Sequence, residues 1–347
     1  MDDSKNPSEY ILVEPYKLQY ARKNLMGNEK NTFDFICETI FTGISTGTEL
    51  GAWQGLPHLR KEVTYPRKIG YMNISRVVKK KLSSKYNLGD LIYTLNGHSN
   101  YLECNDSDVI MKFSANLNLE KYIFTYIYHL AETAINSLNS IPGYVDKKVN
   151  NSIAVVGGGL IGTALCELLA LKNQEVTLIS EYNRKFAKST CVRVKNRKFF
   201  FKKLDSSEMR DGTFDLVFTT TNSWDDYFLA LDLLKIDGKL SILGFPGRTD
   251  GIPNRNPLDS DTFYRKRLTI RSLPRTDILH RMVNSQLELN TINESFLNLS
   301  KLITVGSLSA INGSVQLVEF SKLEEVYSGL CSRKSKYFSA VLDWAKS

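Results

Sequence analysis

The chain has 347 residues, 42% of them hydrophobic and 24% charged, and a net charge of +8. That length exceeds one ordinary hydrophobic core and suits two domains, and the composition is that of a globular protein rather than a disordered or fibrous one. No apolar run approaches the roughly 20 residues that a bilayer requires, and the opening MDDSKNPSEY has no apolar stretch to act as a secretory signal, so a cytoplasmic protein with no membrane partner is expected.

Five cysteines (Cys37, Cys104, Cys166, Cys191, Cys331) lie far apart with no CxxC pair. That excludes a disulfide framework or a four-thiolate zinc site and leaves reduced, buried or half-buried thiols.

Residues 1 to about 145 alternate apolar and polar positions in short pieces: EYILVEPYKLQYARKNL, NTFDFICETIFTGI, RKIGYMNISRVVKKK and GDLIYTLNGHSNYLEC. Pieces of this length between Gly, Asn and Pro predict a β-rich domain. Within it, TGISTGTELGAWQG (42 to 55) gathers glycines and hydroxyls around one carboxylate, Glu49. From 119 to 140 the apolar residues recur every three to four positions, which predicts a helix, and Pro142-Gly143 ends it.

From about 151 strands and helices alternate. SIAVVG, EVTLIS, FDLVFTTT and KLSILGF read as buried strands, and LIGTALCELLALKN and DYFLALDLLKID (226 to 237) as helices. That order predicts a doubly wound parallel sheet. After about 306 extended segments return, GSVQLVEF and YFSAVLDW around a short helix at KLEEVYSGL. The expected division is therefore 1–145 with 306–347 returning to it, and 146–305.

Gly157-x-Gly159-x-x-Gly162 directly follows a strand and opens a helix. In that setting the first glycine makes the turn, the second admits a pyrophosphate, and the third lets helix and strand pack. The phosphates would rest on the free N–H groups of Gly159, Leu160, Ile161 and Gly162 at the helix N-terminus.

The next strand ends ISEYNRK. If Ser180 is the strand-end residue, no carboxylate opposes a 2′-phosphate and Arg184 and Lys185 can hold it; if Glu181 is, the ribose hydroxyls of NAD are read instead. Spacing from Gly162 and Val176 favours Ser180, and so NADP(H) over NAD(H). The basic, aromatic stretch 184 to 203 reads either as a solvated strand and turn or as a phosphate- and base-binding surface; the first is expected, with no nucleic-acid partner.

With GISTGTEL (43 to 50), YPRKIGYMNISRVV (65 to 78), ETAINSL (132 to 138) and the glycine motif in this order, the chain resembles the medium-chain dehydrogenase/reductase family over nearly all its length. It looks most like a Ser-x-Gly-Thr-Glu branch that includes bacteriochlorophyllide hydroxyethyl dehydrogenases. The resemblance implies an α/β fold: a GroES-like β-rich catalytic domain plus a Rossmann doubly wound parallel-sheet domain that binds the dinucleotide.

Zinc-dependent members carry a cysteine and a histidine where this chain has Thr46 and Tyr71, followed by Met72, and a third ligand near His129. Neither a catalytic nor a structural zinc is expected, and His129, among Tyr126 and Tyr128, reads as a packed helix histidine. The resemblance places Thr48 at a proton-relay position, Tyr71 where its phenol can reach a substrate carbonyl, and His98 near the cleft; these three are the catalytic candidates. Thr46 and Glu49 are substrate-wall candidates, Glu49 being preferred as an acceptor that orders its loop. The implied activity is zinc-independent, NADP(H)-preferring oxidoreduction of an alcohol and a carbonyl, or of an activated alkene, on a small or medium organic molecule, with a homodimer among the implied assemblies. A non-catalytic nucleotide-binding scaffold or redox sensor of the same fold is the alternative.

Overall fold

A computed structural model describes residues 6–25, 33–57, 64–114, 117–139, 152–180, 199–202, 212–249, 251–272, 286–332 and 335–345. The chain divides into two compact units. The first comprises Met1–Tyr126, Asp277–Ile303 and Ser314–Ser347, and the second Ile127–Thr276 and Thr304–Gly313.

The first unit begins with a hairpin of β1 (Ser8–Glu14) and β2 (Lys17–Arg22), where one extended segment was predicted. Glu14 pairs with Lys17, so Pro15 and Tyr16 form the turn, with Tyr16 at φ 61. Next come β3 (Phe35–Gly43), β4 (Arg67–Lys68), β5 (Asn73–Lys80), β6 (Leu91–Thr94), β7 (Tyr101–Cys104) and β8 (Val109–Phe113). The predicted helix at 119 to 140 is divided: a tight turn, Leu119–Tyr122, precedes α1 (Thr125–Asn139). The break is stabilised by Thr125, whose hydroxyl donates to the Tyr122 carbonyl at 2.6 Å and so competes with helix continuation.

The second unit carries β9 (Ile153–Val156), α2 (Leu160–Leu171), β10 (Val176–Ile179), β11 (Phe199–Lys202), β12 (Phe214–Thr219), α3 (Trp224–Leu233), β13 (Leu234–Ile242) and β14 (Thr269–Ser272). All pairings in its sheet are parallel, in the order β11-β10-β9-β12-β13-β14. Counted within the unit this is third, second, first, fourth, fifth, sixth, the doubly wound order of dinucleotide-binding folds. The four residues of β9 are all buried, as a central strand covered on both faces requires. The helix predicted over 226 to 237 stops at Leu233, because Leu234 is buried as the first residue of β13 and Asp237 takes φ 62. Ala154, Val156, Val217, Ala230, Leu231 and Leu240 form the centre of this unit's core.

α4 (Gln286–Thr304), which the sequence reading did not identify, buries Phe296, Leu299 and Ile303. Then β15 (Val315–Glu319), α5 (Leu323–Cys331) and β16 (Ser339–Asp343) complete the first unit. β16 pairs antiparallel with β3 (Val341 opposite Gly43) and parallel with β15, closing the order β15-β16-β3-β5-β6-β8, with β7 also on β3. Apolar residues from both ends of the sequence, Tyr10, Leu12, Ile44 and Trp53 with Leu323, Tyr327, Leu342 and Trp344, pack into one cluster beneath the 42 to 55 segment.

Candidate functional site

The segment from Thr46 to Leu50, expected as a loop, is a wide helical turn, followed at once by a short turn of helix, Gly51–Trp53. Residues on such a turn point in successive directions, and here Glu49 points inward, 2% exposed, while Thr46 and Thr48 are half-buried and Gly47 is exposed. A carboxylate removed from water costs several kcal/mol unless donors replace its hydration. Glu49 has them: Oε1 accepts from the Ser45 N–H at 2.6 Å, and Oε2 accepts from the Tyr327 hydroxyl at 2.5 Å and from His98 Nε2 at 2.9 Å. Through the Ser45 contact it ties its own turn together.

Because a carboxylate only accepts, His98 Nε2–H is the donor to Glu49. Trp344 Nε1, which can only donate, gives its proton to Thr42 Oγ1 at 2.9 Å. The same Thr42 hydroxyl lies 2.8 Å from His98 Nδ1. His98 is 1% exposed, and its ring packs on Gly70, where an added Cβ would lie 2.9 Å from it. Both ring nitrogens of His98 are thus engaged, Nδ1 with Thr42 and Nε2 with Glu49, so the ring helps seat the Glu49 carboxylate.

Tyr71, half-buried, donates its hydroxyl to Ser45 Oγ, and its ring meets Tyr126 edge-on at 5.6 Å. Burial raises its pKa well above the tyrosine range, an effect that hydrogen bonds with Ser45 and Thr48 partly offset. At neutral pH it is a phenol, a hydrogen-bond donor and a poor metal ligand. Ser45, Thr48 and Tyr71 thus form one cluster of neutral hydroxyls. Among the described residues no three His, Cys, Asp or Glu side chains come close enough to hold a metal ion. His129, 6% exposed in α1, has its pKa lowered to about 4 by burial.

In the second unit, β9 ends at Val156 and Gly157 turns the chain with φ +107, where a Cβ would fall 2.4 Å from Thr220 Oγ1. At Gly162 a Cβ would lie 1.9 Å from the Gly157 carbonyl oxygen, so helix and turn meet backbone to backbone. Gly159 differs: a Cβ there meets nothing within 4 Å, and the residue is exposed at the start of α2 with no side-chain cap. The first N–H groups of α2, from Leu160, Ile161 and Gly162, have no intrahelical partner, and its first turn carries no acid. An open glycine over free N–H groups at a positive helix end is a cradle that fits a diphosphate.

Ser180 directly follows β10 and is buried, level with Gly157, whose N–H donates to the Ile179 carbonyl at 2.9 Å. Arg184 and Lys185 lie outside the described residues, as does the basic stretch apart from 199 to 202, whose backbone forms β11. Sequence reasoning missed Thr42, Ser45, Tyr327, Trp344 and Thr220; of these Thr42 and Ser45, both in the glycine- and hydroxyl-rich segment 42 to 55, carried a local signal.

A GroES-like β-rich unit and a Rossmann unit with this glycine cradle define the fold of medium-chain dehydrogenases/reductases. No protein-family model matches the sequence, and no curated protein does. Among solved structures, the chain is similar to L-idonate 5-dehydrogenase from Escherichia coli, with a TM-score of 0.74 and 13% identity over 97% of this chain and 98% of that one. It is similar to alcohol dehydrogenase TADH from Thermus sp. ATN1, with a TM-score of 0.72 and 15% identity over 97% and 99%. It is similar as well to CAD from Helicobacter pylori, solved in complex with NADP(H), with a TM-score of 0.70 and 16% identity over 99% of each chain. At these identities the likeness is one of fold.

Proposed function

We propose that the chain is an NADP(H)-preferring, zinc-independent oxidoreductase that interconverts an alcohol and a carbonyl on a small or medium organic substrate. The observation that carries the reading is the glycine cradle: positive φ at Gly157, backbone contact at Gly162 and open space at Gly159 over the start of α2. That combination has a use when a diphosphate is bound and little otherwise.

When bound, the nicotinamide would supply the hydride. The chain's own residues hold it and act on the substrate oxygen. Gly159, Leu160, Ile161 and Gly162 present N–H groups to the diphosphate. Ser180 puts no carboxylate against a 2′-phosphate, and Arg184 and Lys185 follow it in sequence to pair with one. Thr48 and Tyr71 offer protonated hydroxyls to a carbonyl oxygen, stabilising the charge that develops there, and Thr46 forms the adjacent wall. Glu49 and His98 keep that turn in place. The zinc-independent reading is supported by the donors available: a threonine hydroxyl and a phenol held protonated by burial stand where a metal would need thiolate or imidazole.

The test is titration of the purified protein with NADPH and NADH, with metal analysis of the same sample. Micromolar NADPH binding, at least tenfold tighter than NADH, together with reduction of a carbonyl probe is expected. Millimolar or absent binding of both nucleotides would sink the reading, and stoichiometric zinc would sink its metal-free part.

A further inference from the structure

Tyr327 lies in α5, inside an apolar cluster with its ring 5.6 Å from that of Trp53, and it is 0% exposed. Phenylalanine would fill that volume equally well; the hydroxyl is the only polar atom tyrosine adds, and in such surroundings it needs a partner. It finds Glu49 Oε2 at 2.5 Å, across 278 residues of sequence. Burial and the Glu49 charge hold its pKa well above the tyrosine range, so the phenol remains a donor.

Glu49 passes this connection on. Its other oxygen takes the Ser45 N–H, and the Ser45 hydroxyl in turn takes the Tyr71 proton. A continuous path of hydrogen bonds therefore runs Tyr327, Glu49, Ser45, Tyr71. A second arm, Trp344 to Thr42 to His98, reaches the same carboxylate. Because Glu49 is part of the turn, seating its carboxylate on donors from separate elements fixes the rotation of that turn. It thereby fixes the direction in which Thr46 and Thr48 face.

The path cannot relay a proton, since it crosses a backbone amide between Glu49 and the Ser45 hydroxyl. What it transmits is position.

We propose that Tyr327, a residue of the C-terminal segment, is a positioning residue for the Thr48 and Tyr71 hydroxyls, acting through Glu49 and Ser45. The role of those hydroxyls rests on the functional reading above; the mechanical link does not. The test is Tyr327→Phe, which keeps the ring and removes the donor. Hydrogen exchange should accelerate about tenfold or more at the Ser45 and Glu49 amides, as loss of a hydrogen bond to a charged group implies. It should stay unchanged in β9 to β14.

With NADPH and 4-nitrobenzaldehyde as probe, kcat should fall about tenfold while the dissociation constant for NADPH holds. In a Tyr71→Phe background the same change should cost clearly less than tenfold, because only the effect through Thr48 remains. Trp344→Phe, a second variant should the first fold poorly, should accelerate exchange at the same two amides to a smaller degree. Unaltered exchange at Ser45 and Glu49 in both variants, or losses of kcat that multiply in the double variant, would overturn the proposal. Should the wild type turn over no carbonyl, the functional reading fails while the exchange measurement still decides the link.

Discussion

Replacing Gly159 with alanine separates a binding function from folding. Gly159 lies at φ −79, ψ −165, an extended conformation open to alanine, and the new methyl would meet no protein atom within 4 Å. Two effects on stability oppose each other: glycine is the better N-cap by about 0.5 to 1 kcal/mol, whereas alanine reduces unfolded-state entropy, worth about 0.4 to 1 kcal/mol. The net change should be within about 0.5 kcal/mol, or a degree or two in Tm. The methyl would, however, stand over the free N–H groups of α2, where the diphosphate must approach. Losing one such charge-assisted contact costs about 2 to 3 kcal/mol, a 30- to 150-fold weaker Kd at about 1.4 kcal/mol per factor of ten. Fluorescence titration with NADPH, paired with thermal melts, reads both numbers. A variant that binds NADPH within threefold of wild type would refute the assignment of Gly159 to the diphosphate. One that loses several kcal/mol of stability would refute the claim that the position is free.

Three more outcomes follow from the geometry. Gly162→Ala should be the opposite case: its Cβ would sit 1.9 Å from the Gly157 carbonyl oxygen, so the helix must shift. Denaturant titration should show a loss of about 1 to 3 kcal/mol or more together with weakened nucleotide binding. Tyr71→Phe should leave the Kd for NADPH unchanged and lower kcat by about 100-fold or more if its hydroxyl assists proton transfer, and steady-state kinetics on a carbonyl probe will show it; equal kcat would remove Tyr71 from the chemistry. His129 makes stability depend on pH. Its folded pKa of about 4 lies below the ordinary histidine value of 6.5, so between those values the unfolded chain binds more protons and stability rises with pH. The contribution, about 3 kcal/mol, is fully present above pH 6.5 and is lost as pH falls toward 4. His129→Phe should flatten the difference between denaturant melts at pH 7.5 and 4.5, and an unchanged slope would assign it to other groups.

The second unit was largely legible from its sequence because its signals are local. Continuous apolar runs marked the buried strands, and Gly157 and Gly162 answer to atoms a few residues away or just past the end of β12. The boundaries that slipped were decided by side chains and backbone that periodicity does not weigh, a Thr125 hydroxyl bonding back to Tyr122 and a left-handed Asp237. In the candidate site, Thr46, Thr48, Glu49 and Tyr71 were named from motif position, Glu49 already as an acceptor that orders its loop, but the partners of each side chain were not. The contacts of His98 depend on Thr42, 56 residues away, and through it on Trp344, and those of Glu49 on Tyr327, 278 residues away. One sequence carries no record of such pairings, and a tyrosine or tryptophan in an apolar stretch reads as core until its polar atom finds an acceptor.

The bond from Trp344 to Thr42 spans 302 residues, and that distance is also an interval of time. At about 5 to 20 residues per second, β16 and Trp344 leave the ribosome roughly 15 to 60 s after β3. Throughout that interval β3 lacks β16 along Phe41–Gly43, and for nearly all of it Glu49 lacks Tyr327. The second unit, whose strands β9 to β14 are contiguous in synthesis, can close earlier. The nascent protein should therefore acquire its nucleotide cradle first and its ordered Thr46–Leu50 turn last. Stalled nascent chains long enough to present residue 272 but not 344 should bind NADPH while residues 42 to 55 remain open to protease.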